Sequence, residues 1–88
     1  MAIAFDAGKD ALNLAKHGFS LSEAAAFDFA ASVITVDDRF DYGERRFRAF
    51  GLVGGQGRCL VFTVIDAETI RVISFRRARE KEMKRYGL

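Results

Sequence analysis

At 88 residues, half of them apolar and 30% charged, the chain is long enough for one small core and too apolar to be disordered. No apolar run approaches the roughly 20 residues that span a bilayer, and the lone Cys59 excludes an internal disulfide and a cysteine–histidine metal site. The net charge is only +2, and no basic stretch precedes an apolar one as in a secretory signal, so a soluble cytoplasmic protein with one domain over residues 1–88 is expected.

"MAIAF" reads as a short first strand. Asp6 is placed to cap a helix whose apolar stripe is Ala11, Leu12 and Ala15, and Gly18 after "KH" is placed to end it. Ser20 and Glu23 form a capping box that opens a second helix, with Leu21, Ala24, Ala25, Phe27 and Ala31 on its apolar face. After residue 32 the period changes to two. "SVITVDD", "RRFRAFGLV", "RCLVFTVI" and "IRVISF" read as four strands joined by the turns "RFDYG", "GGQG" and "DAET". Such short connections imply an antiparallel meander. "RRAREKEMKRYGL" closes the chain as a basic helix that buries Ala78, Met83 and Tyr86 and pairs Glu80 with Lys84. The pattern predicts an α+β fold: two N-terminal helices, a four-stranded antiparallel sheet and a C-terminal basic helix.

The small net charge conceals an asymmetry. Residues 1–44 carry three basic against eight acidic side chains, and residues 45–88 carry eleven basic against four acidic. Nine of those eleven are arginine, whose planar fork matches a phosphate, so an anionic partner such as RNA is favoured over a merely solvated surface. In "DYGERRFRAFG" the strand period puts Glu44, Arg46 and Arg48 on one face. A carboxylate beside several arginines fits metal-free RNA cleavage, which needs a base for the 2′-OH, cations for the phosphate and an acid for the leaving oxygen. Such a face by itself is more often solvated or partner-binding. No cofactor or metal is implied. Arg71 and Arg76 bracket the last strand, and Arg76, Arg77 and Arg79 gather where the last helix begins, opposing its dipole unless an anion compensates. Glu80 is a candidate neutraliser. His17 titrates in the range for acid–base work, although its place before Gly18 already gives it a structural role at the helix end.

"K-x-x-x-N-x-x-K-H-G" (Lys9 to Gly18), followed by "S-x-x-E-A", "D-Y-G-E-x-R" (Asp41 to Arg46) and "R-V-I-S-F-R-R-A" (Arg71 to Ala78), resembles the BrnT-type toxins over nearly the whole chain. The resemblance implies a RelE-like fold and a ribonuclease toxin of a type II toxin–antitoxin pair. It also implies a BrnA-like antitoxin with a ribbon-helix-helix region, through which operator DNA is reached. Carried over residue by residue, it points to Glu44, Arg46, Arg71, Arg76 and His17 as catalytic candidates. Lys9, Lys16, Arg48, Arg77 and Arg79 are the candidates for binding RNA. Two positions depart from the pattern: Phe5 stands where the family usually has tryptophan, and Ile65 where it often has arginine. The alternative is a module that binds antitoxin or RNA without cleaving, kept as a co-repressor.

Overall fold

Residues 6–18 fold as their capping signals require. The computed structural model describes residues 1–88 and places helix α1 at Ala7–His17. The Asp6 carboxylate accepts the Lys9 N–H at 2.9 Å, and Gly18 takes a left-handed backbone (φ 80°) while donating to the Leu14 carbonyl. The helix does not bury the expected stripe, however: Leu12 is 72% exposed, and the buried residue is Asn13.

The second predicted helix is two 3-10 segments, Leu21–Ala26 and Phe29–Ala31. The capping box forms as expected, with the Glu23 carboxylate accepting the Ser20 N–H at 2.7 Å. The run breaks at Asp28, whose side chain accepts from the Ala30 and Ala31 N–H groups and so starts a new turn in place of continuing the old one. The break lets Phe27 and Phe29 meet edge to face, ring centroids 5.0 Å apart, over the sheet.

The sheet has five strands and is mixed, not four and antiparallel. Strands β1 (Ala2–Ala4), β2 (Val33–Asp37), β3 (Arg46–Val53), β4 (Gln56–Asp66) and β5 (Thr69–Arg77) stand in the order β1-β5-β4-β3-β2. "MAIAF" adds β1 as a parallel strand on the outer edge of β5, with Ala2 opposite Thr69 and Ala4 opposite Arg71. The remaining pairs are antiparallel, and Gly54 and Gly55, both at positive φ, make the two-residue turn between β3 and β4. Strand β5 runs on to Arg77, opposite Arg58, so helix α2 is only Glu80–Arg85. The Glu80–Lys84 pair is present at 3.1 Å.

One face of the sheet, with Ala49, Leu60, Phe62, Val72 and Phe75, is covered by Leu21, Ala24 and Phe27 of the 3-10 segments. The other face packs Phe50, Cys59 and Val61 against Ala78, Met83 and Tyr86, and the Tyr86 ring stacks on Phe50 at 4.7 Å. Gly57 makes room for this contact, since a Cβ there would lie 2.8 Å from the Met83 side chain. The helix α2 covers only part of this second face. The uncovered part carries the arginines.

Because β1 is three residues long, β5 has no strand neighbour on its outer side beyond Arg71. Asn13 fills that place. Its amide donates to the Phe75 carbonyl at 2.8 Å and accepts the Phe75 N–H at 3.1 Å, and it also donates to the Phe19 carbonyl. Asn13→Ala would leave two buried backbone groups unpaired. We expect it to lower unfolding stability by about 2–3 kcal/mol, read as a lower urea midpoint at an unchanged slope.

Candidate functional site

A helix sets residues four apart, and three or four apart, on one face. Lys9, Asn13, Lys16 and His17 have that spacing, so when Asn13 docks on β5 the other three are carried to the same edge. All four line one hollow of about 220 Å³ with Leu12, Ile73 and Ser74. Lys9 and Ile73 also line an adjoining hollow of about 370 Å³ with Asp6, Tyr42, Glu44, Arg46 and Arg71. The two hollows share Lys9 and Ile73 and so meet as one groove beside β5.

A register change brings Arg71, which lines the second hollow, and Arg76 to one face of the sheet. Arg71 and Arg76 are an odd number of residues apart, which in a regular strand puts them on opposite faces. A bulge intervenes: Phe62 pairs with Val72 but Val61 pairs with Ser74, which leaves Ile73 as the extra residue. Arg71 therefore lies opposite Thr63, and Arg76 opposite Cys59, on one face. Arg46 and Arg48 of β3 share that face, as their spacing predicted.

Glu44 precedes β3 and bridges two strands. Its Oε1 accepts from Arg71 at 2.6 Å and its Oε2 from the Arg46 Nε at 3.2 Å. Desolvation pushes its carboxyl up, but the hydrogen bonds and charges of Arg46 and Arg71 outweigh this and hold its pKa below the usual glutamate value. At the other end, Arg76 makes a two-pronged pair with Glu82, both contacts at 2.9 Å. That pairing, opposed by burial, raises the pKa of Arg76 and brings that of Glu82 down to about 2. Glu82, not Glu80, is thus the neutraliser at the start of α2, where it also accepts the Arg79 N–H. His17 is half-buried, and burial, Lys16 and Arg76 in that order lower its pKa, leaving a neutral imidazole at pH 7.

Arg48 points onto the same face with its guanidinium carbon 5.6 Å from the Phe50 ring, and its Nε is buried without a partner. Arg77 is not brought to the groove. It alternates to the other side of β5 and lines a separate hollow with Gln56, Gly57, Ala78, Glu80 and Met83. Arg79 is exposed at the start of α2. Cys59 is fully buried, and desolvation pushes its thiol up to about 11, so it is inert. No three His, Cys, Asp or Glu side chains converge as a ligand set.

Sequence reasoning assigned no role to Asp37, Arg39 and Tyr42; Tyr42 lines the second hollow, and Asp37 holds Tyr42 and Arg39 beside it. Asp37 is 4% exposed, accepts from the Arg39 Nε at 2.7 Å and Nη2 at 2.8 Å, and accepts the Tyr42 hydroxyl at 3.2 Å. The Arg39 hydrogen bond, opposed by burial, lowers its pKa to about 2. The Arg46 guanidinium in turn lies 4.1 Å from the centre of the Tyr42 ring. The signal available was "DYGE" itself, in which tyrosine stands two residues before the glutamate. Ile65 lines a hollow with Glu44, Arg45 and Arg71, so the position where an arginine was the resemblance-based expectation borders the site and contributes apolar surface here.

A family model described as the ribonuclease toxin BrnT of type II toxin–antitoxin systems matches residues 5–82. Among solved structures, the crystal structure of the Brucella abortus ribonuclease toxin BrnT is similar, with a TM-score of 0.67 and 27% sequence identity, over 91% of this chain and 99% of that one. No curated protein matches the chain in sequence. The α+β architecture is thus shared with that toxin.

The folded-state pKa values of Asp37 and Glu82 lie below their ordinary ones, so their stabilisation is fully present above about pH 4.5. It is lost as pH falls toward about 2. Each pair is worth roughly 2 kcal/mol. Urea unfolding of the wild type should show that loss across this window, and Glu82→Gln should show a shallower dependence from a lower starting stability.

Proposed function

The chain belongs to the BrnT family of ribonuclease toxins of type II toxin–antitoxin systems, and from that premise we propose that it is itself a metal-independent endoribonuclease acting in the arginine groove. The observation that carries the reading is the bulge at Ile73, which sets Arg71 and Arg76 on one face with Arg46 and Glu44. The fold is read as RelE-like and residues 1–88 as a single toxin domain.

In this mechanism a phosphodiester takes the place of Glu44 on Arg46 and Arg71. Released from its two cations, the carboxylate becomes a stronger base and takes the proton of the neighbouring 2′-OH. The 2′-oxygen attacks phosphorus, and Arg46, Arg71 and Arg76 stabilise the charge of the pentavalent phosphate. The bond to the 5′-oxygen then breaks, and that oxygen takes a proton from the Lys9 ammonium, which borders both hollows. The products are a 2′,3′-cyclic phosphate and a 5′-hydroxyl. Lys16 and Arg48 extend the cationic track for the flanking phosphates, while Arg77 and Arg79 lie outside it and serve RNA only if the strand continues past α2.

A second base is favoured by one observation: His17 lines the far hollow of the groove, where burial, Lys16 and Arg76 lower its pKa. A type II toxin is neutralised by a protein antitoxin. We take that partner to be a BrnA-like protein of the ribbon-helix-helix class, which covers the basic groove and alone contacts operator DNA.

Purified protein is incubated with end-labelled free RNA in EDTA and, separately, with ribosome-bound RNA in the magnesium buffer that keeps ribosomes assembled. Wild type should cleave to cyclic-phosphate ends. Arg71→Ala should lose about 100- to 1,000-fold in rate, and Glu44→Gln about 100- to 10,000-fold. With Glu44 as base, kcat/KM falls on the acid side only below about pH 4.5, because its pKa is lowered. A fall that begins at higher pH and disappears in His17→Gln assigns the base to His17. Tight RNA binding with no cleavage of either substrate by wild type would replace the enzyme by the non-cleaving co-repressor.

A further inference from the structure

We propose that Phe40 is a stacking platform for an unpaired base of the RNA strand, so that the substrate of the groove is single-stranded. This rests on the ribonuclease reading. Phe40 is 71% exposed, in the loop between β2 and β3, and nothing in the chain covers its ring. The ring meets Tyr42 edge to face, with centroids 5.8 Å apart.

Tyr42 is itself immobilised from both ends. Its hydroxyl is held by the buried Asp37, and its ring lies beneath the Arg46 guanidinium. Tyr42 also lines the hollow with Glu44 and Arg71. Phe40 therefore stands one ring beyond the wall of the proposed phosphate site. The loop that presents it is tied down by Asp37, which accepts from the Arg39 backbone and side chain, and by Asp41, which accepts the Gly43 N–H at 3.0 Å.

An exposed phenylalanine on a loop held this firmly has no packing purpose within the chain. Cations that take phosphates, next to an aromatic face that takes a base, are what single-stranded nucleic acid binding requires. Arg46 already occupies one face of the Tyr42 ring, and Phe40 packs against that ring, which leaves the exposed Phe40 face as the open one. A duplex, with its bases stacked inside, offers nothing to Phe40.

The chain has no tryptophan, so Phe40→Trp introduces a single reporter at the site. This variant of the full chain is titrated with a single-stranded 2′-O-methyl oligoribonucleotide, which binds but has no free 2′-OH to attack. An abasic oligomer with the same number of phosphates is the comparison. The base-bearing strand should quench the tryptophan saturably. Wild type should bind it about 5- to 150-fold more tightly than the abasic strand, and Phe40→Ala should remove that preference while binding the abasic strand unchanged.

Equal affinity of wild type for the two strands, or a preference that survives in Phe40→Ala, overturns the platform and leaves the ring to a protein partner. Cleavage of RNA by wild type in EDTA, measured in parallel, separates the two claims. If cleavage persists while the preference is absent, the platform falls and the nuclease stands. If wild type neither binds nor cleaves, both fall.

Discussion

The carboxamide of Asn13 holds the two halves of the groove together. Strand β5 would otherwise end the sheet with an open edge, because β1 covers only Thr69 to Arg71. A buried N–H and C=O without partners there would cost on the order of 1–3 kcal/mol each. Asn13 offers one acceptor and two donors in a plane, so it pairs with both groups of Phe75 as a neighbouring strand would, and with Phe19 as well. The helix is thus docked by polar geometry more than by an apolar stripe. That accounts for Leu12 and Leu14 remaining outside, and it sets Lys9, Lys16 and His17 against β5.

This docking also explains why the first helix was only half legible in the sequence. Its ends were written in local chemistry, Asp6 and Gly18, and local chemistry is sufficient for caps. Its buried face was not, because counting apolar residues finds Leu12 and misses an asparagine whose partner lies 62 residues away. The same limit acted on the sheet. Alternation revealed the strands, but a period of two cannot announce its own interruption, and parity puts Arg71 and Arg76 on opposite faces. The extra residue at Ile73 reverses that result. The family resemblance could name both arginines. Only the register shows that they face the same way. In the second helix, Asp28 was the signal for a break, and the apolar period of the alanine-rich run concealed it.

Several cations on one sheet face repel one another, and the fold offsets this with three carboxylates of unequal burial. Asp37 has a side chain only 1% exposed and holds Arg39 and Tyr42, while Glu82 is 12% exposed on Arg76 and Glu44 is 31% exposed across Arg46 and Arg71. An arginine fork accepts a phosphate in much the same geometry as a carboxylate. What differs between the three pairs is the cost of exchanging one anion for the other. Removing Arg39 from Asp37 would strand a buried charge, which is severely unfavourable. Glu44 stays near solvent when it gives up its arginines, so its exchange is the cheapest.

The ordering by burial is consistent with Asp37 as framework and Glu44 as the member of the proposed site. Asp37 fixes the position of Tyr42, and Tyr42 fixes the plane in which Arg46 approaches the groove. Glu44 keeps Arg46 and Arg71 extended and aligned until an anion arrives, so little side-chain ordering remains to be done on binding. In the proposed mechanism the same carboxylate then serves as the base beside the phosphate that displaced it. One residue can act as placeholder and proton acceptor in turn because its two states are coupled. While the arginines hold it, its pKa is low and it is a poor base, and when phosphate takes the arginines its basicity returns. On the proposed reading, Glu44 is a poor base in the empty groove and a stronger one once a phosphodiester has taken its arginines.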